Sequence, residues 1–404
     1  MKRHKIRPAW FLLILVAIIF SACQPTGLSQ YEQASTYAAQ TRTAMEEETG
    51  EILVPEVTET PTEEPTNTPL PSPTATMGPV GPGDFPDNVN PLTGLVVADP
   101  ELLNRRPVFV KVANYPASGR PHAGLSYADM VFEYYLGAGS NRFMGVYYGQ
   151  DSEQIGPVRS GRLVDPQIVS LYQGILGMES AYVTISEHIY DILGDRVVNS
   201  RSTCPAICDD GRQIVISVFA DSAEMTKYAS RHGVDNRRYN LDGMVFDMAT
   251  PPNGEAGEQA NILFATLNRG EWRFDEESGK YLRWIEDTTG GDLEMIPLVD
   301  RLTDEQLAFS NVIVLFANYT EYTEIMHDIS IWDNPSGQRA VIFRDGQAYD
   351  STWATPTKDQ PIRFYDQEGN LFPLKPGNTW IAIFGLSSDV DEDDGEWTFR
   401  FYLP

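Results

Sequence analysis

The sequence predicts an α/β or α+β N-terminal domain followed by a β-rich α+β C-terminal domain, behind a signal peptide and a disordered tether. Three observations carry this. Between residues 106 and 231, strand-like runs alternate with helix-spaced apolar positions, the mark of a mixed domain. Residues 248–258 (Met248-Ala-Thr-Pro-Pro-Asn-Gly-Glu-Ala-Gly-Glu258) are crowded with breakers. After them, nearly every apolar run is β-branched or aromatic. The boundaries read as 1–22 signal peptide, 23–88 tether, 89–247 first domain and 259–404 second domain.

The chain opens on a basic stretch, Met1-Lys-Arg-His-Lys-Ile-Arg7, then an apolar run over 9–20, then Ser21-Ala-Cys23. That order is a secretory signal. The run is shorter than the roughly 20 residues that a bilayer span requires. Small residues before Cys23 resemble a lipobox, which makes Cys23 the expected site of lipid attachment on the extracytoplasmic face of a bacterial membrane. An ordinary cleaved signal with a neighbouring cysteine is the alternative. Residues 24–85 contain one basic residue, Arg42, and are dense in Thr, Pro and Glu. Such a stretch buries too little apolar surface to offset the cost of ordering its backbone. Its prolines favour extended polyproline II, a semi-rigid spacer.

In the first domain, residues 106–113 read as a strand and 114–124 as a loop. Residues 126–129 read as a capped turn, and 130–136 and 142–148 as a hairpin across Gly137-Ala-Gly-Ser-Asn141. Residues 165–178 carry Ile168, Leu171, Tyr172, Ile175 and Leu176 at helical spacing. Further helices are expected over 187–193 and 222–231, with a strand over 214–219. In the second domain one helix, 303–309, interrupts a series of strands. Arg344-Asp-Gly-Gln347 has hairpin chemistry.

A net charge of −27 argues against nucleic acid and against long-range attraction to anionic lipid. Beyond Cys23 the cysteines are Cys204 and Cys208. Outside the membrane a local disulfide is the expectation, with free thiols or a metal as alternatives. The four histidines past the signal show no metal-ligand spacing, so neither metal nor cofactor is expected. Asp389-Val-Asp-Glu-Asp-Asp-Gly395 opens like a calcium loop, but its Gly is one place late and Arg400 stands where the closing Glu belongs. An acidic hairpin tip is the competing reading.

The densest polar cluster is Arg142, Arg159, Ser160, Arg162 and Asp165. Arginine forks suit carboxylate or phosphate, and the start of the expected helix favours anions. The cluster is therefore a candidate ligand-binding site for an anionic cell-wall glycan or an envelope protein. Alternatively these arginines pair internally with Asp129, Glu133 and Asp165 and serve the fold alone. Glu133 with Asp165 is the candidate catalytic pair for glycoside hydrolysis, which needs two carboxyls roughly 5–9.5 Å apart.

Several phrases together resemble a known family: Asn90-Pro-Leu-Thr-Gly-Leu95, Arg120-Pro-His-Ala-Gly-Leu-Ser-Tyr-Ala-Asp-Met-Val-Phe-Glu133, Gly156-Pro-Val-Arg-Ser-Gly-Arg162, Tyr281-Leu-Arg283, Asn311-Val-Ile-Val314 and Leu374-Lys-Pro-Gly-Asn-Thr-Trp-Ile381. The chain is similar to the YerB-like lipoproteins over most of residues 90–384 and departs from them over 285–299. The resemblance implies lipid anchoring and a pair of domains; it implies no chemistry.

Overall fold

The computed structural model describes residues 78–199, 203–213, 215–288 and 294–404. The expected signal peptide, Cys23 and most of the tether lie outside them. Residues 78–88, assigned from sequence to the tether, are part of the folded unit: Val80 exchanges both backbone hydrogen bonds with Phe246, at 2.9 Å each.

The N-terminal α/β part supplies strands β1 (Val108–Ala113), β2 (Met130–Gly137), β3 (Ser140–Tyr147), β4 (Ile175–Gly177) and β5 (Val197–Val198). It also supplies helices α1 (Asp165–Leu171), α2 (Val183–Leu193) and α3 (Ser222–Arg231). Asp221 caps α3 by accepting the Glu224 N–H. The β-rich C-terminal part supplies β6 (Gln259–Ala265), β7 (Asn268–Asp275), β8 (Lys280–Glu286), β9 (Asn311–Ala317), β10 (Asn334–Arg344), β11 (Gln347–Thr355), β12 (Arg363–Tyr365), β13 (Thr379–Gly385), β14 (Asp389–Asp393) and β15 (Glu396–Arg400).

The two parts share one sheet, in the order β12-β11-β10-β9-β13-β2-β3-β1-β4-β5. Strand β13 lies parallel to β9 on one side and to β2 on the other, so Val131 faces Trp380 and Glu133 faces Ala382 in register. All seven residues of β13 are buried, as a near-continuous apolar run requires of a strand covered on both faces. A second sheet, built around β8-β7-β6-β15-β14, covers one face of the first. Trp272 of β7 meets Trp380 with ring centroids 5.2 Å apart, and Phe264 of β6 meets Phe384 at 4.8 Å.

Two expected helices are otherwise in the structure. The run 165–178 is helical only to Leu171; Gln173 takes a left-handed φ of 55° and the chain turns into β4, parallel to β1. Ile175 and Leu176 suit a helical face and a buried strand equally, and the open edge of β1 decides between them. The segment 303–309 instead forms two short strands, Glu305–Gln306 and Ala308–Phe309. Asp304 is left-handed at φ 55°, and Phe309 pairs with Tyr281. The acidic stretch at 389–395 is a hairpin, with Asp394 and Gly395 at its turn.

Candidate functional site

Side chains on a strand alternate between faces, and β2 uses that alternation to separate two polar centres. Register places Ala113 of β1, Arg142 of β3 and Tyr134 of β2 side by side. Lys111, two residues before Ala113, shares their face. The chain after β3 runs back over this face and is fastened by the Arg159 N–H, which donates to the Lys111 carbonyl at 3.0 Å. It then enters α1 at Asp165.

At the centre of this face Lys111 Nζ lies 3.0 Å from Asp165 Oδ1, both side chains fully buried. The Tyr134 hydroxyl contacts both. Asp165 Oδ2 accepts the Arg162 backbone N–H at 2.7 Å. Burial pulls the Lys111 ammonium down to about 8, opposed by Asp165 and reinforced by Arg162 and Arg142. Arg142, 6% exposed, donates from Nη1 to the carbonyls of Tyr115 and Asn141, each at 3.2 Å. Burial depresses its pKa strongly, and the charges of Arg162 and Arg159 depress it further. Arg162 donates from Nη1 to the carbonyls of Ser160 and Gly161, at 3.2 and 2.8 Å. The Nε atoms of Arg142, Arg159 and Arg162 are buried without a hydrogen-bond partner among the described residues. Ser160 lies at the rim, its Oγ 3.3 Å from the Ser180 Oγ.

The structure thus brings together Arg142, Arg159, Ser160, Arg162 and Asp165. It adds Lys111 and Tyr134, which sequence reasoning missed. A signal existed: Lys111 is the single charge in the apolar run of β1, all of it buried. The glycine of the Arg-Ser-Gly-Arg phrase has a packing reason. A Cβ at Gly161 would sit 2.6 Å from Met178 Sδ and 2.7 Å from Ile189 Cδ1, so the loop can press on the core only with glycine there. The start of α1 offers nothing to an anion. The helix is seven residues long, and its entry is a turn closed by Asp165 on Arg162.

Glu133 points through the opposite face. It accepts from Arg283 Nη2 (3.1 and 3.2 Å), Trp380 Nε1 (2.7 Å) and Asn141 Nδ2 (2.6 Å). The Arg283 guanidinium lies 5.0 and 5.1 Å from the ring centroids of Trp272 and Trp380. The sheet therefore stands between Glu133 and Asp165, each closed into its own buried pair. They do not share a cleft in which a sugar could bind, so the paired-carboxylate expectation has no geometry behind it. The internal pairing considered from sequence also takes other partners. Asp129 accepts the Tyr148 and Gly149 N–H groups and Asn90 Nδ2. None of Asp129, Glu133 and Asp165 accepts a side-chain hydrogen bond from Arg142, Arg159 or Arg162 among the described residues.

The longest phrase of the sequence, 120–133, fastens the two parts of the chain. Arg120 Nη2 lies 2.8 Å from Glu286 Oε1. The backbone N–H groups of Gly124 and Ser126 donate to the buried Asp300 carboxylate at 3.0 and 2.8 Å. The His122 carbonyl accepts from the Arg301 N–H at 2.9 Å. The His122 ring is buried with Nε2 2.7 Å from the Ala113 carbonyl, and burial, then Arg120, hold it neutral with a pKa near 3. Cys204 forms a disulfide with Cys208, which lies in the short strand Ile207–Asp209. Among the described residues no group of three or more His, Cys, Asp and Glu side chains is placed to hold a metal, and no helix is long and apolar enough to cross a membrane.

Comparison with known proteins gives a consistent result. "Putative lipoprotein YerB" of Bacillus subtilis (strain 168) is 25% identical over 307 residues, 72% of this chain and 85% of the relative. The crystal structure of the YerB protein from Bacillus subtilis matches with a TM-score of 0.58 at 23% identity, over 73% of this chain and 96% of that one, and shares the two-part fold. The resemblance to YerB-like proteins drawn from sequence phrases therefore holds. Residues 92–235 match the N-terminal domain, and residues 260–381 the C-terminal domain, of the family described as "Protein of unknown function (DUF3048)". The chain belongs to that family and carries both of its domains.

Proposed function

We propose that this chain is an extracytoplasmic lipoprotein, anchored through a lipid on Cys23, that binds an anionic cell-wall ligand or an envelope protein at Arg142, Arg159, Ser160 and Arg162. The observation supporting the binding reading is the choice of acceptors. Arg142 and Arg162 donate to neutral backbone carbonyls, while the one carboxylate at the centre is taken by Lys111 and Tyr134. Arg142 and Arg162, which form no ion pair among the described residues, are suited to an incoming anion. The basic, apolar and small-residue order before Cys23 supports the anchor, as does the lipoprotein description of the Bacillus relative.

Two measurements test this. Cell-wall fragments and envelope proteins are retained by the wild-type chain, and retention falls at least tenfold in Arg159→Gln/Arg162→Gln with the melting temperature within a few degrees. A double variant that melts much lower and whose retention is unchanged removes the binding reading. Cys23→Ala releases the protein from the membrane fraction; unchanged fractionation removes the anchor.

A further inference from the structure

Resting on the binding reading above, we infer that the ligand group recognised at this site is a phosphate ester rather than a carboxylate. Donor count and charge lead there. Three guanidinium groups reach the site from two elements, Arg142 from β3 and Arg159 and Arg162 from the loop before α1, with Lys111 beneath them. A carboxylate offers two oxygens in one plane, and a single bidentate fork uses both. A phosphoryl group offers three strong acceptor oxygens in a tetrahedral arrangement, and a monoester carries close to two negative charges at neutral pH. Three guanidinium groups brought near one another from two elements offer more donors than one carboxylate can accept and suit the second shape better.

The charges agree. Asp165 is already occupied by Lys111 Nζ, the Tyr134 hydroxyl and the Arg162 N–H, while Arg142, Arg159 and Arg162 act on one another. Glu179 acts on Arg159 from the side and accepts the Ser180 hydroxyl at 2.5 Å. Among the described residues of this cluster, four cations face two carboxylates, an excess of two, which matches the charge of one phosphate monoester. A second, independent observation is Arg142 itself. It is more than nine-tenths buried, its Nε has no partner among the described residues, and the charges around it, Arg159, Arg162 and Lys111, are all cationic. Two backbone carbonyls are the acceptors of that guanidinium, and no carboxylate pairs with it among the described residues; a phosphoryl group would supply the missing counter-charge.

Isothermal titration of the full-length chain in detergent, at fixed ionic strength, tests the assignment with sn-glycerol 3-phosphate, acetate and dihexanoyl phosphatidylglycerol below its micellar concentration. Glycerol 3-phosphate is expected to bind at least tenfold more tightly than acetate and to lose at least tenfold in Arg162→Gln. Arg159→Gln gives the same loss should Arg162→Gln fail to fold. Tighter binding of the lipid, a diester with two free oxygens and one charge, than of glycerol 3-phosphate identifies a headgroup as the source and overturns the monoester count; the reverse order supports a soluble phosphate monoester. Acetate binding as tightly as phosphate, with the arginines still required, overturns the phosphate assignment and leaves the anion site standing. If no anion binds, or binding survives both arginine substitutions, the site reading falls as well.

Discussion

Glu133 and Tyr134 are neighbours in one strand, yet they belong to opposite kinds of polar centre. Glu133 faces the second sheet, where its carboxylate meets the Arg283 guanidinium among tryptophan rings and the Asn141 amide, with the Arg120–Glu286 pair close by. Tyr134 faces α1, where one buried ion pair lies beneath three more cations, two of which, Arg142 and Arg162, donate to backbone carbonyls. The first centre is sealed and balanced in charge, although Arg283 Nε and Nη1 have no hydrogen-bond partner among the described residues. The second is unbalanced and partly open. The difference teaches that buried charge alone does not mark a functional site; the mismatch between charges present and charges answered does.

The comparison can be broken most sharply at Arg283. Arg283→Met leaves Glu133 buried without its cation, and a loss of about 3–5 kcal/mol is expected in urea unfolding. Substituting both residues with apolar side chains should recover part of it. A loss below about 1 kcal/mol for the single variant, the range of surface pairs, would mean that the joint does not depend on the pair. The joint is also acid-sensitive. His122 is neutral when folded, with a pKa near 3 against 6.5 unfolded. Below pH 6.5 the unfolded chain therefore binds the extra proton, and stability is lost as pH falls toward 3, by up to about 1.4 kcal/mol per pH unit. His122→Gln should remove that slope from the pH dependence of the melting temperature.

The open side should respond more weakly. Gly161→Ala forces a methyl against Met178 and Ile189, at about 1–3 kcal/mol, and should displace Arg159 and Arg162 enough to weaken anion binding. Arg162→Gln should cost less than about 1 kcal/mol, since the side chain is partly exposed and bonds only to adjacent carbonyls. A stability loss there equal to that of Arg283→Met would erase the distinction between the two centres.

Much of this was legible beforehand for a physical reason. The hairpin β2–β3 joins two largely apolar runs across the glycines Gly137 and Gly139, and α3 is capped by Asp221; the turn and the cap are local signals. The loop of Arg159 to Arg162 stood out by charge in an acidic chain. Glu133 and Asp165 as a pair did not survive, because proximity in space is not a property of spacing in sequence. A strand's pleat sends Glu133 one way and Tyr134 the other, and only Tyr134 meets Asp165. Lys111 was visible as a charge in an apolar run, but its partner lies 54 residues away.

The sequence by itself determined the mixed and β-rich parts, the phrases that identify the family and the arginine cluster, since these follow from periodicity, turn chemistry and charge along the chain. Tertiary structure decided that the two parts share one sheet through β13, that residues 175–177 join it as a strand, and which carboxylate answers which cation. Those outcomes depend on long-range pairing: an exposed sheet edge recruits an apolar run whatever its local preference, and a buried charge takes the partner that the folded register puts within reach.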